Sequence, residues 1–350
     1  MLVDFGNSSK GIFDYLVYIP TAYGHEAVIV FFVLSGFLIS RSIMQRRGES
    51  RWAWSDYIIE RLSRLWTPLL PCLLLTFVLD ASAIHFTHAP FYRGTEAQFH
   101  SGPLGAPIAL NAATLAGNLL FLQTIFVPVF GSNGPLWSLA NEAWYYVAFP
   151  ILICALGSGR SGSAILLALT ALVLVAGQVS GSSILTLWPA WLLGYGALIT
   201  YERATRAEFQ PNLGHFLTLG ICSVAVLSLP LTRRVPQTIT DLFLAVIVAG
   251  WVVLSTTARP PNVAGRHISR ALAAPSYTLY LSHFPILAFL SATCLGNARQ
   301  NLSWWSFGEM AAMFAVAISA AILLYLPFER RTPEVRKAII AILSKQPLQK

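Results

Sequence analysis

Long apolar stretches alternate with short polar segments along almost the whole chain. A bilayer core about 30 Å thick requires roughly 20 apolar residues per helix, and nine stretches come close to that length. They comprise residues 24–41, 66–84, 137–157, 163–179, 183–200, 214–231, 238–256, 272–294 and 309–328. The pattern predicts an all-α fold, a polytopic bundle of about nine transmembrane helices.

A tenth apolar stretch, residues 108–130, is treated separately because its crossing would reverse the side of every later loop. Lys and Arg accumulate in cytoplasmic loops. With nine crossings, 18 basic residues lie on the inner side and 5 on the outer side, whereas a tenth crossing gives 9 and 14. The first distribution agrees better with the positive-inside rule. It predicts that residues 108–130 form a re-entrant or interfacial helix. The polar residues Asn111, Asn118 and Gln123 within it fit that placement.

The basic residues also predict the orientation of the chain. Six arginines follow the first span before the next apolar run, so the end of this span faces the cytoplasm. They are Arg41, Arg46, Arg47, Arg51, Arg61 and Arg64. We therefore expect an outer N-terminal segment (1–23), a membrane domain (24–328) and a basic cytoplasmic tail (329–350).

Composition argues against a soluble domain and against a nucleic-acid-binding protein. The chain is 55% hydrophobic and only 11% charged, whereas soluble domains carry about 25% charged residues. The net charge of +8 does not indicate a nucleic-acid partner, because the basic residues lie between apolar spans and serve the topology.

The sequence predicts no metal site. The four cysteines are far apart, lie inside or at the ends of apolar runs and form no metal-binding spacing, so we expect small buried side chains. His85, His88 and His100 share one polar region without a ligand pattern or a carboxylate pair. We interpret that region as a solvated loop.

Polar side chains inside apolar spans are expensive and tend to be functional. Glu142 is expected about one turn inside a helix, with Ser138 and either Tyr145 or Tyr146 on the same face. An unpaired carboxylate costs about 2–3 kcal/mol near the bilayer centre, so it must be paired or lie in a wet cavity. A structural carboxylate and a role in the reaction or in substrate placement both remain open.

A second polar cluster surrounds His283. Ser276, Tyr280 and His283 share one helical face, and Pro285 lacks an N–H, which is expected to loosen the backbone around Leu281. A histidine exchanges protons near neutral pH. The alternatives are a reactive histidine and a core histidine with satisfied hydrogen bonds.

A third candidate is the pair Arg61 and Arg64, three residues apart on one helical face next to the membrane. The simplest interpretation is anchoring by the positive-inside rule. Two guanidinium groups also suit a phosphorylated ligand, because arginine forms bidentate hydrogen bonds to phosphate.

Four ordered motifs resemble those of the acyltransferase-3 family of membrane O-acyltransferases. The apolar Ser35–Gly36 helix resembles the family's second-helix signature, and Arg61 to Pro68 resembles its basic motif. Trp137 to Glu142 resembles its Trp-Ser-Leu-x-x-Glu box, and Ser276 to Pro285 resembles its late Ser-Tyr-x-x-Tyr-Leu-x-His-x-Pro motif. The lead-in 134–137 is similar to members that act on exopolysaccharides and lipo-oligosaccharides.

The resemblance implies transfer of an acyl group, often acetyl, from cytoplasmic acyl-CoA to a sugar hydroxyl at the outer side of a bacterial inner membrane. It implies contact with a glycan or glycolipid acceptor and with membrane lipid, and no permanently bound cofactor. Three residues are expected around the reaction chamber, namely His283, Glu142 and Tyr280. Four are expected to bind acyl-CoA, namely Arg61, Arg64, Ser35 and Gly36.

The chain departs from the family pattern at its start. The family's first helix carries an arginine and, about eleven residues later, a histidine, whereas residues 1–23 contain no arginine and His25 is the first histidine. We expect either a start codon assigned too late or a truncated, inactive homologue. The adjacent His25 and Glu26 are a candidate substitute for the missing base, and a polar pair at the lipid–water interface is the simpler interpretation.

A lipid or glycan transporter is the alternative class of function. The segment 108–130 and the intramembrane Glu142 and His283 would suit a translocation path. Transporters often contain paired repeats of broken helices, and the sequence shows no such repeat.

Overall fold

A computed structural model describes residues 23–48, 53–87, 89–95, 106–158, 161–232, 235–258, 263–295 and 303–344. Most of the predicted outer segment (1–22), the last residues of the predicted tail (345–350), His88 and His100 lie outside the described residues.

Helices occupy all nine predicted apolar stretches, and the described residues contain no β-strand, so the all-α fold is confirmed. The helices are α1 Gly24–Gly48, α2 Trp54–Thr87, α3 Pro90–Arg93, α4 Ala112–Leu119, α5 Leu136–Ser158, α6 Ser161–Val179, α7 Ile184–Arg206, α8 Leu213–Thr232, α9 Gln237–Thr257, α10 Val263–Ala273, α11 Ser276–Cys294, α12 Trp304–Tyr325 and α13 Thr332–Ser344.

Length and composition allow several of these helices to cross a membrane. Six segments are long and apolar enough, namely α1, α2, α5, α7, α9 and the stretch from α12 into α13. Helices α6 and α8 contain shorter apolar runs, and α11 carries Ser, His and Pro among its apolar residues. The protein is therefore a multi-pass helical membrane protein.

The described residues form two compact units. The first contains those of 53–140 and 267–344, and the second contains those of 23–52 and 141–266. The boundary falls within α5, after Ala140.

In the first unit, α11 packs against α2 and α12, and α13 packs against α2. The Tyr277 hydroxyl donates to the Leu65 carbonyl (3.4 Å), so the start of α11 lies beside the part of α2 that follows Arg61 and Arg64. Glu329 accepts hydrogen bonds from the Thr278 N–H (3.0 Å) and hydroxyl. A carboxylate is favourable there because the first turn of a helix has unsatisfied N–H groups.

In the second unit, α1 packs against α7 and α9, and α9 also packs against α8. The three helices α1, α7 and α9 run in the same direction. Early residues of α1 and α9 meet at His25 and Asp241, and late residues of α1 and α7 meet where Arg41 lies over the Tyr201 ring. The basic last turns of α1 and α7 therefore lie at the same end of this unit.

The segment 106–135 turns back on itself. Its short helix α4 is capped by Asn111, whose Oδ1 accepts from the Thr114 N–H (2.9 Å). The Gly131 N–H donates to the Ala109 carbonyl (2.9 Å), so the chain returns to the place where it entered. Asn118 and Gln123 are buried and donate to backbone carbonyls. The segment is therefore not one straight crossing, and it fits either a re-entrant or an interfacial placement.

Candidate functional site

Glu142 is held by a chain of hydrogen bonds inside the second unit. The Trp191 indole N–H donates to the Ser35 hydroxyl (3.3 Å), and that hydroxyl donates to the Tyr146 hydroxyl (3.4 Å). Tyr146 in turn donates to Glu142 Oε1. All four side chains are buried.

The direction of this chain determines its chemical effect. An indole is a donor only, so every hydrogen in the chain points towards the carboxylate of Glu142. Hydrogen bonds to an ionised group are stronger than those between neutral groups. The buried carboxylate is thus paired, as an apolar surrounding requires, and Tyr146 is the tyrosine that shares its face.

Tyr145, the neighbouring tyrosine, has a different partner. Its hydroxyl donates to the Ile184 carbonyl (2.6 Å) at the start of α7, and its ring packs edge-on against Phe32 and Trp188. The two adjacent tyrosines therefore have different roles: Tyr145 joins α5 to α7, and Tyr146 donates to the Glu142 carboxylate.

Gly36 lies where α1 and α7 approach most closely. A Cβ on Gly36 would overlap the Trp191 carbonyl oxygen, and one on Gly194 would overlap the Val33 carbonyl oxygen. Small residues allow two membrane helices to come together in this way. This close approach allows Ser35 to join the series of hydrogen bonds that ends at Glu142. Binding of acyl-CoA by Ser35 and Gly36 stays a prediction.

The first unit contains His283 and Tyr280. His283 Nδ1 lies 2.9 Å from the carbonyl oxygens of Leu279 and Tyr280. Carbonyls only accept, so Nδ1 must carry the hydrogen, and in the neutral ring Nε2 then has the lone pair. A ring oriented by its own helix is suited to accept a proton at Nε2.

Tyr280 connects α11 to the start of α5. Its hydroxyl donates to the Pro135 carbonyl (2.8 Å) and lies 2.5 Å from the Ser138 hydroxyl. Its ring centroid lies 6.0 Å from that of His283. Ser138, Tyr280 and His283 therefore form one polar group in the first unit.

Two residues near this group were missed by sequence reasoning. Asp80 is fully buried in α2 and accepts hydrogen bonds from the Ser132 N–H (2.6 Å) and hydroxyl (2.7 Å). It is the only carboxylate in the stretch 66–84, which was an available signal. Burial, reinforced by the Asp80 carboxylate, raises the pKa of the Tyr92 hydroxyl in α3, so this hydroxyl stays protonated.

The two arginines of the basic motif differ in their surroundings. Arg61 is only 12% exposed, contacts Glu60 (3.2 Å) and lies over the Tyr57 ring. Arg336 of α13 reaches the other oxygen of Glu60 (3.7 Å). Arg64 is exposed and lies within electrostatic range of Glu329. A phosphate ligand would therefore meet Arg64 first.

The predicted site residues divide between the two units. The second unit brings Ser35, Gly36 and Glu142 together, and the first unit contains Tyr280, His283 and the two arginines. Across the described ranges, no three His, Cys, Asp or Glu side chains are grouped as metal ligands would be.

Comparisons with known proteins support the resemblance. A family model for an acyltransferase domain, that of the acyltransferase-3 family, matches residues 2–326. An O-acetyl transferase of Shigella phage Sf6 is 26% identical over 280 residues, covering 76% of each chain. The acyltransferase MdmB of Streptomyces mycarofaciens is 26% identical over 339 residues, covering 88% of this chain and 81% of its own.

No solved structure shows significant similarity to the chain. The family match covers nearly the whole sequence, and both relatives are named as acyl-transferring enzymes. The protein is an acyltransferase and belongs to the acyltransferase-3 family of membrane O-acyltransferases.

Proposed function

We propose that the protein transfers an acyl group, acetyl in the simplest case, from acyl-CoA to a sugar hydroxyl of a cell-surface or exported glycan. Family membership and a relative named O-acetyl transferase support the reaction class. The observation that carries the chemistry is the orientation of His283, whose Nδ1 is engaged by two carbonyls. In that orientation the lone pair of Nε2 can accept a proton.

In the proposed reaction, His283 Nε2 takes the proton of the acceptor hydroxyl as its oxygen attacks the thioester carbonyl. A C–O bond forms, the tetrahedral intermediate collapses, and the C–S bond breaks. The CoA thiolate leaves and recovers the proton from the imidazolium, so no net proton is gained or lost. The polar hydroxyls of Tyr280 and Ser138 are the donors proposed for the developing oxyanion.

Glu142 is proposed to take part in substrate placement. Its carboxylate receives the donor chain through Tyr146, and an ionised carboxylate has about four lone-pair positions. An acceptor hydroxyl can therefore bond to it as well. This assignment rests on the second unit alone.

Arg61 and Arg64 are proposed to bind the phosphates of acyl-CoA. Both lie on the part of α2 beside the start of α11, which carries Tyr280 and His283 two turns further on. A ligand whose phosphates contact this end would extend its acyl group towards His283. Guanidinium groups bind phosphate through paired hydrogen bonds.

The proposed location is the bacterial inner membrane, with the C-terminal tail in the cytoplasm. The basic residues of α1, α7 and the tail support this orientation through the positive-inside rule. In this orientation the donor acyl-CoA is available at the arginine-rich side. The acceptor glycan is available at the opposite side.

Hydrolysis of acetyl-CoA by the purified protein tests the proposal. An acyltransferase in detergent should slowly release CoA thiol in the absence of acceptor, with water replacing the sugar hydroxyl, and His283→Ala should be slower. The segment 106–135 also suits a transporter of lipid or glycan, but a transporter would release no thiol. Failure of the folded wild-type protein to cleave acetyl-CoA would contradict the proposed function.

A further inference from the structure

His25 and Asp241 form a pair at one end of the second unit. His25 Nε2 lies 3.0 Å from both carboxylate oxygens of Asp241, and the Gln237 amide donates to Asp241 Oδ1 (3.1 Å). The Asp241 side chain is 5% exposed, whereas that of His25 is 36% exposed. A buried carboxylate therefore orients an imidazole that remains accessible to solvent.

Glu26 adds a second buried carboxylate beside this pair. It is 6% exposed, and its Oε2 atom has no hydrogen-bond partner among the described residues. A buried carboxylate oxygen without a donor is costly. It marks a place where a hydroxyl-bearing ligand would supply the missing hydrogen bond. The sequence offered the adjacent His25 and Glu26 as a base and a carboxylate, and the structure adds Asp241, which contacts His25 Nε2.

The position of the pair indicates which side of the membrane it faces. His25 lies in the first turn of α1 and Asp241 in the second turn of α9. The arginines of α1 and α7 lie in the last turns, at the opposite end of the unit. Under the positive-inside rule the His25 end faces outward, which is the acceptor side in the proposed function.

A tie between helices is the simpler explanation for such a pair. Helices α1 and α9 already pack along their length, and the Tyr23 hydroxyl fixes the start of α1 to the Leu227 carbonyl (2.6 Å). An ion pair that only joins helices requires no accessible ring and no second carboxylate lacking a donor. Both features are present here, and both are features of a ligand site.

We propose that His25, Asp241 and Glu26 form a binding site for the hydroxyl-bearing acceptor on the outer side. The exposed part of the His25 ring, oriented by Asp241, contacts one acceptor hydroxyl. Glu26 Oε2 accepts from a neighbouring hydroxyl. The ligand class is a polyhydroxylated molecule such as a sugar. This inference rests on the proposed function.

The test compares His25→Asn, Asp241→Asn and Glu26→Gln with the control variant His215→Ala. His215 is an exposed histidine at the start of α8 in the same unit. Acetyl transfer from acetyl-CoA to a panel of methyl hexopyranosides is measured with purified protein. Ester content of surface polysaccharide is measured in cells in which each variant replaces the wild type.

The three variants should raise the KM for the glycoside about tenfold, corresponding to one lost hydrogen bond to a charged group. The KM for acetyl-CoA should change much less, and the melting temperature should stay near that of the wild type. Ester content in cells should fall at equal protein amounts. Asp241→Asn keeps the shape of the side chain but removes its charge. It therefore shows whether the site needs the negative charge of Asp241 or only a side chain that orients His25.

Three outcomes would overturn the acceptor site. One is an unchanged KM for the glycoside together with unchanged ester content. A second is a parallel rise of both KM values. The third is a loss of transfer that tracks a lower melting temperature. Failure of the proposed function is distinguishable, because the wild-type protein itself would then not turn over acetyl-CoA.

Discussion

The side-chain amide of Asn133 donates a hydrogen bond of 2.8 Å to the backbone carbonyl of Leu281. In a regular helix that carbonyl would accept from the N–H four residues later. That residue is Pro285, which has no N–H. Asn133, which also donates to the Thr76 hydroxyl (3.2 Å), therefore supplies the missing donor and fixes the loop before α5 against α11.

Asn133→Ala should lower the free energy of unfolding by about 1–3 kcal/mol, because it leaves a buried carbonyl without a donor. The same change should cost less in a Pro285→Ala background, where the helix regains its own N–H. Thermal unfolding in detergent across the double-mutant cycle measures this difference. Gln210→Ala, at an exposed position between α7 and α8, is the control. Equal costs in the two backgrounds would contradict the relationship.

Gly36→Ala should destabilise the second unit, because the added methyl group would overlap the Trp191 carbonyl. Overpacking of this kind costs about 1–3 kcal/mol, and separation of α1 from α7 should also lengthen the Trp191–Ser35 hydrogen bond. Gly196→Ala on α7 is the matched control, since nothing lies within 4 Å of its Cβ position. Melting temperature and turnover should fall together in Gly36→Ala, while neither should fall in the control.

Tyr146→Phe and Tyr145→Phe test whether the Glu142 chain serves the reaction. Each change removes one buried hydroxyl from adjacent positions of α5. Tyr146→Phe should reduce turnover about tenfold by removing one donor to the carboxylate. Tyr145→Phe should lower stability by about 1 kcal/mol with near-normal turnover per folded molecule. Equal effects of the two changes on turnover would make Glu142 a structural carboxylate.

Arg64→Ala and Arg61→Ala should both raise the KM for acyl-CoA, each by about tenfold, because a charged hydrogen bond to phosphate is worth about 1.5–3 kcal/mol. Arg61→Ala should also lower stability, since Arg61 is mostly buried against Glu60. Arg336→Ala is the control, because it removes a cation beside the same Glu60. An acyl-CoA KM that changes equally in all three variants would leave the arginines as topology anchors.

The helices were predictable, whereas most partners of the site residues were not. Apolar runs of bilayer length are local signals, and so is a glutamate inside such a run. Ser35 and Tyr146 are 111 residues apart, and His25 and Asp241 are 216 apart. Helical periodicity relates residues three or four apart, so it cannot pair residues on different helices. Only tertiary packing shows that His25 meets Asp241 rather than Glu26.

His283→Ala should reduce turnover on the order of 100-fold while the melting temperature stays near normal, if Nε2 accepts the proton of the hydroxyl. A purely structural histidine would behave differently. Its loss would cost about 1–3 kcal/mol of stability through unsatisfied partners, and activity would fall only with the folded yield.

The Leu279 and Tyr280 carbonyls that accept from Nδ1 belong to the same helical turn as His283. Through these bonds the ring therefore does not join α11 to another helix. Its removal should therefore leave the packing of α11 intact. Ser282→Ala is the matched control, since Ser282 is buried next to His283 and bonds only the Thr278 carbonyl. Turnover and melting temperature are to be measured in the same preparation of each variant. Near-full turnover per folded His283→Ala molecule would exclude His283 as the base and leave Glu142 and His25 as candidates.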